Sequence, residues 1–190
     1  MGRLIYSMIT SLDGYAIDAD GGFDFMEVAE EEHDFFQEQL RSVGTFLYGR
    51  RMYETMVFWE TAHLLEEAPP FIVDFARVWQ AADKVVYSTT LEEVTSERTR
   101  IERSFDAAAI RELKAASDSD ITIDGPHLAA HAVRAGVVDE YQPVLAPKTV
   151  GGGTPFFPAG VRLDLTLLDQ HRLAAGGLWL RYVPATHEGA

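Results

Sequence analysis

The order of the apolar segments limits this chain more than any other feature. Short runs of β-forming residues alternate with segments of helical period, and only near the C-terminus do strands follow one another directly. Residues 3–9, 45–48, 84–87, 121–123 and 137–145 read as strands, with a further short strand within 98–105. Between them, residues 30–43 place Phe35, Phe36, Leu40 and Val43 on one helical face. Residues 50–56 read as a short helix, 71–81 as a helix announced by Pro69-Pro70, and 106–115 as a helix capped by Asp106. Residues 126–135 start on Pro126 and stop at Gly136. Gly151-Gly152-Gly153 reads as a flexible loop, and strands at 163–173 and 178–183 flank Ala174-Ala175-Gly176-Gly177 as a hairpin. Parallel neighbours need a crossover, which the helices supply. The order therefore predicts an α/β fold with a mostly parallel sheet, helices on both faces and an antiparallel C-terminal hairpin.

At 190 residues the chain corresponds to a single domain spanning 1–190, large enough to need no metal or disulfide for its core. It has no cysteine, which removes disulfides, thiolate metal sites and cysteine nucleophiles. With 30 acidic against 16 basic residues the net charge is −14, so a nucleic-acid backbone is not an expected partner. No apolar run approaches the roughly 18 residues of a membrane span. Asp13 soon interrupts the apolar start, as a signal peptide would not allow, and the expected location is cytoplasmic. His127 and His131 share a helical face, but Leu128 stands where a zinc protease needs glutamate, so no metal is expected. Ser7, Ser11 and Ser88 lack the context of an activated serine.

The glycines at strand ends carry the functional signal. Gly49 closes one strand and opens a helix at Arg50-Arg51, and Gly125 does the same before Pro126-His127-Leu128. Two such junctions put two helix N-termini at the carboxyl edge of a parallel sheet, where free N–H groups favour a phosphate. Equally, both glycines serve as plain turn residues. Neither junction is the Gly-x-Gly-x-x-Gly dinucleotide fingerprint.

Five segments resemble, in order, the dihydrofolate reductase-like superfamily, and within it the reductase domain of the bifunctional riboflavin-biosynthesis deaminase/reductase. They are Ser11-Leu12-Asp13-Gly14, Tyr48-Gly49-Arg50-Arg51-Met52-Tyr53-Glu54, Lys84-Val85-Val86-Tyr87-Ser88-Thr89-Thr90-Leu91, Ile123-Asp124-Gly125-Pro126 with Val138-Asp139-Glu140, and Pro147 through Gly151-Gly152-Gly153 to Phe156-Phe157. The named segments run from Ser11 to Phe157, and the resemblance extends over Leu4 to Tyr182. The resemblance implies a three-layer α/β/α fold and NADPH, with NADH as the alternative, lying across the carboxyl edge of the sheet. It implies hydride transfer to a small heterocyclic or carbonyl substrate, resembling 5-amino-6-(5-phosphoribosylamino)uracil reduction. A homodimer is implied as well. Two other readings stay open: a non-catalytic nucleotide or ligand binder on the same fold, and a dihydrofolate reductase.

By the same resemblance Gly49, Arg50 and Arg51 meet cofactor phosphates. Ser88, Thr89 and Thr90 stand at the adenosine 2′-phosphate, and Gly125, Pro126, His127 and Leu128 at the pyrophosphate. Ile9, Thr10, Ala16 and Ile17 flank the nicotinamide. Two departures matter: Pro126 replaces a glycine and removes one N–H, and Thr89 replaces an arginine able to grip a phosphate with two donors. A cis Gly125–Pro126 bond is expected, since X–Pro is where cis costs least. For the proton, Asp13, Glu32 and Asp34 are the candidates. The acids at 30–34 also suit the positive end of a helix, and Asp13 also suits a turn before Gly14. Phe23, Phe25 and Trp59 either line the substrate site or belong to the core.

Overall fold

The structure, a computed structural model, describes residues 1–26 and 30–185. Its eight-stranded sheet is built from β1 (Leu4–Thr10), β3 (Val43–Gly49), β4 (Asp83–Tyr87), β5 (Thr99–Glu102), β6 (Asp120–Asp124), β7 (Glu140–Leu145), β9 (Leu165–Arg172) and β10 (Leu178–Pro184). Their spatial order is β5-β4-β3-β6-β1-β7-β10-β9. The first six strands run parallel, and β10 lies antiparallel to both β7 and β9. A separate two-stranded ribbon joins β2 (Tyr15–Asp18) to β8 (Gly153–Pro155).

Alternation along the strands separates two cores. Leu47, Val85, Ile121 and Ile123 face α4 (Ala107–Ala116) and α5 (Pro126–Arg134) through Ile110, Leu128, Ala129 and Val133. Phe46, Tyr48 and Val86 face the other way, toward Tyr53 of α2 (Arg50–Met56) and Trp79 of α3 (Pro70–Ala81). Phe35 and Phe36 of α1 (Glu30–Leu40) extend that second layer over Val144 and Trp179. Trp79 is completely buried; its Nε1 donates to the Tyr48 hydroxyl at 3.1 Å, and the Lys84 ammonium sits 4.2 Å from its ring centre. The sheet's amino edge is tied by charges: Arg3 pairs with Asp120 and, at 2.9 Å, with buried Glu140, which also accepts from Arg181.

Three expectations need correction. Val43 is not the last helical contact but the first residue of β3, because its pairing with Asp120 in β6 recruits it to the sheet. The glycine run at 151–153 is not wholly loop: Gly153 enters β8 opposite Asp18, in a register the sequence reading did not contain. Among the described residues no peptide bond is cis, so the expected cis Gly125–Pro126 bond is absent. Gly125 makes the turn instead through its backbone, at φ +99° and ψ 121°, a region glycine enters without the clash of a Cβ.

Candidate nucleotide-binding cleft

Parallel β1, β3, β4, β5 and β6 all end at one edge, and the residues following the last four converge on a cleft of about 740 Å³. Gly49 to Met52 follow β3, Tyr87 to Thr90 leave β4, Arg103 to Phe105 follow β5, and Gly125 to Leu128 follow β6. Met8 of β1, Ile17 of the ribbon and Phe23 close the far end.

Both helices opening onto the cleft start without a side-chain cap. Gly49 precedes α2 and Gly125 precedes α5, and neither has a side chain to accept from the first-turn N–H groups. Pro126 is buried at the first position of α5, where a missing N–H is least costly. The charge around the cleft contrasts with the chain as a whole. Three arginines line it, namely Arg50, Arg51 and Arg103, while none of the described lining residues is Asp or Glu. In a protein of net charge −14 this is a local positive site. Arg50 is positioned by Glu54, which accepts from its Nε at 2.7 Å, and its Nη1 donates to Thr90 Oγ1 at 2.8 Å. Ser88 Oγ accepts from the N–H groups of Thr90 and Leu91 at 3.2 and 2.9 Å and so shapes the turn between them.

Of the residues expected at the cofactor, Ile17, Gly49, Arg50, Arg51, Ser88, Thr89, Thr90, Gly125, Pro126, His127 and Leu128 line the cleft. Ile9, Thr10 and Ala16 do not: Thr10 and Ala16 are completely buried, and Ile9 packs against the Val144–Trp179 cluster. Phe23 lines the cleft, Phe25 is buried, and Trp59 packs on Phe75 with ring centres 4.4 Å apart.

The three carboxylates lie elsewhere. Asp13 accepts from the N–H groups of Val150 and Gly151 at 3.1 and 2.8 Å. Those bonds, with one from Ser11 first, hold its pKa below the usual aspartate value. Buried Glu32 accepts from the N–H of Ala175 at 3.0 Å, in the turn between β9 and β10, and borders a smaller hollow of about 400 Å³ with His171 and Arg172. Asp34 is exposed on α1. The side chains of Glu30 and Glu31, and His187, fall outside the described residues. Among those described, no group of three or more acids and histidines is arranged to hold a metal.

Sequence reading missed Arg103, Ser104, Phe105 and His131, all at the β4–β5 side of the cleft. The Phe105 and His131 rings stack with centres 5.7 Å apart, and Tyr87 lies 6.0 Å from Phe105. Their signal is only spatial, since α5 and the β5–α4 connection meet through the fold. It also missed Asp124, the last residue of β6 beside Gly125. Burial pushes its carboxyl up to about 7 against a bond from Thr122 Oγ1 at 3.0 Å.

Solved structures of low sequence identity share the fold. Dihydrofolate reductase from Enterococcus faecalis, in complex with NADP(H), superposes with a TM-score of 0.60 at 14% identity, over 97% of this chain and 98% of that one. The model of the RibD C-terminal domain matches residues 3–177, and the chain belongs to that family. YyaP of Bacillus subtilis is 23% identical over 182 residues, covering 95% of this chain and 94% of that protein. A candidate riboflavin biosynthesis protein from Shewanella sp. PV-4 superposes with a TM-score of 0.74 at 19% identity, over 97% of this chain and 99% of that one.

Proposed function

We propose that this chain is an NAD(P)H-dependent reductase of a small heterocyclic or carbonyl substrate, with the cofactor in the 740 Å³ cleft. The observation that carries the reading is the concentration of three arginines, and of no described carboxylate, on the lining of a cleft at the carboxyl edge of the sheet. That donor set suits a polyanionic dinucleotide: guanidinium groups, hydroxyls of Ser88, Thr89 and Thr90, and two helix N-termini without side-chain caps. Membership of the RibD C-terminal domain family and likeness to a reductase complexed with NADP(H) support it.

In this reading Gly49, Arg50 and Arg51 hold one end of the phosphate chain, and Gly125, His127 and Leu128 the other. Met8, Ile17 and Phe23 form the apolar end that orients a flat ring and keeps water from it. The bound nicotinamide supplies a hydride to a C=N or C=O carbon, whose heteroatom takes a proton. A 5-amino-6-(5-phosphoribosylamino)uracil is one specific substrate in this class. The chain works as a homodimer, and β9 at the sheet edge, with exposed Leu167 and Leu168, is the surface for it.

One observation favours a second reading. Since Asp13, Glu32 and Asp34 are absent from the cleft lining, the cleft binds a nucleotide with no carboxylate beside it, as a non-catalytic binder would. Fluorescence titration with NADPH and NADH tests binding first; failure of both at millimolar concentration overturns the cofactor assignment. Oxidation of bound NADPH across pterins, pyrimidines and carbonyls then separates reductase from binder. Light scattering at micromolar concentration tests the dimer.

A further inference from the structure

The two ends of the cleft differ in charge. Arg50 donates through Nη1 to Thr90 Oγ1 at 2.8 Å, and Arg103 through Nη1 to the carbonyls of Ser88 and Leu91 at 3.0 and 2.6 Å. Both guanidinium groups are thereby fixed to the turn after β4. In the sheet β4 stands three strand spacings from β1, about 14 Å. At the β1 end the lining is Met8, Ile17 and Phe23. All 16 lysines and arginines of the chain lie among the described residues, and besides Arg50, Arg51 and Arg103 none lines the cleft. The segment that carries Ile17 and Phe23, residues 13–26, holds Asp13, Asp18, Asp20 and Asp24 and no basic residue. The Asp18 carboxylate accepts from the N–H groups of Asp20 and Gly22 at 3.0 and 2.7 Å, which fixes the turn before Phe23. Phe23 is 44% exposed, and its ring belongs to the lining.

An apolar end of this kind handles charge separation poorly. Hydride transfer to a neutral carbonyl creates a cationic nicotinamide and an alkoxide side by side, and the alkoxide then needs a proton or fixed donors. Asp13, Glu32 and Asp34 do not line the cleft, so none of them meets that need. A positively charged C=N carbon avoids it. The iminium carbon takes the hydride, the C=N π pair becomes the nitrogen lone pair, and the positive charge passes to the oxidised nicotinamide. No proton enters or leaves, and one positive charge is present before and after. We propose that the substrate of this site is a flat cyclic iminium ion without a phosphate, held on the Phe23 ring beside Met8 and Ile17. This rests on the reductase reading above. The exposed Phe23 ring offers a cation its π face. Asp20 and Asp24, both exposed, give the same segment a negative potential that draws a cation in and repels a phosphorylated compound.

Binding and turnover test this separately. The chain saturated with NADPH is titrated calorimetrically with phenyltrimethylammonium, a cation that cannot be reduced, and with neutral anisole and anionic benzoate. The cation binds about 10-fold more tightly than either. Phe23→Leu, or Asp20→Asn combined with Asp24→Asn, lowers that preference by about 3- to 10-fold. Equal affinity for the three rings overturns the proposal. NADPH oxidation is then followed with N-methyl-dihydroisoquinolinium, tetralone and 5-amino-6-(5-phosphoribosylamino)uracil. The iminium ion is reduced at least about 10-fold faster than the others, at a rate that stays level from about pH 6 to 9 because the step uses no proton. If tetralone or the phosphorylated pyrimidine is reduced as fast, the reductase reading stands and the iminium proposal fails. If the iminium ion is not reduced, the proposal fails whatever the other two do. If the chain binds no nucleotide, both fail.

Discussion

The Asp13 carboxylate accepts the N–H of Gly151 at 2.8 Å across 138 residues of chain, and that of Val150 beside it. This bond joins the turn after β1 to the loop before β8, and so fixes the root of the ribbon that carries Ile17 to the cleft. Its role in the turn is positional. Asp13→Ala is expected to lower the melting temperature and weaken nucleotide binding together. The hydrogen bonds depress the Asp13 pKa, so their contribution is present above the ordinary aspartate range and is lost as pH falls through the lower folded value. Melting of wild type and variant should therefore converge in strong acid. A gap that persists below about pH 2 would count against this account.

Asp124 behaves in the opposite sense. Burial raises its carboxyl from 3.8 to about 7. Between those values the folded state holds a proton that the unfolded state has released, so stability declines as pH rises through this window and levels off above it. Asp124→Asn removes the decline while leaving an acceptor for Thr122. The variant should exceed wild type by about 2–4 kcal/mol at pH 8 and by far less at pH 5, read by urea unfolding. The same difference at both pH values would contradict a carboxyl beside Gly125 whose pKa the fold raises.

The parallel framework was legible because its strands are short apolar runs, two of them stopped at Gly49 and Gly125, and because the helices at 71–81, 106–115 and 126–135 carry local start signals. Asp106 shows this most directly: its side chain accepts from Ala108 N at 2.9 Å, as a capping residue should. The cleft was legible where glycines mark strand ends. It was not legible at Arg103 or His131, whose places depend on strand order and not on spacing. The ribbon was hidden because four residues of β2 pair with three of β8 across more than a hundred residues, without alternation long enough to read. Glu32 was visible as a helix-start acid, but nothing local shows that Ala175 will claim its carboxylate.

Gly153 allows a direct test of the ribbon. Its φ is +133°, and a Cβ there would lie 2.0 Å from the carbonyl oxygen of Ile17. Gly153→Ala therefore has to separate β8 from β2, at a cost of about 1–3 kcal/mol. Hydrogen exchange should quicken at residues 15–18 and 153–155 while the eight-stranded sheet stays protected. Nucleotide affinity should fall because Ile17 leaves the cleft wall. Unchanged exchange in the ribbon would show that the backbone relaxes around the new methyl group.

Glu32 and Asp34 separate structural from chemical roles on α1. Glu32 is buried and holds the β9–β10 turn through Ala175, whereas Asp34 is exposed. Glu32→Ala should cost about 1–3 kcal/mol, because the bond from the Ala175 N–H to a buried carboxylate is lost, and Asp34→Ala should cost less than about 0.5 kcal/mol. Glu32→Gln preserves an oxygen for Ala175 and should recover most of that stability. If turnover of a substrate is found, Glu32→Gln should retain it, since Glu32 does not line the cleft. Retained stability with turnover abolished would instead give this carboxylate the proton, and would move the substrate to the hollow beside His171.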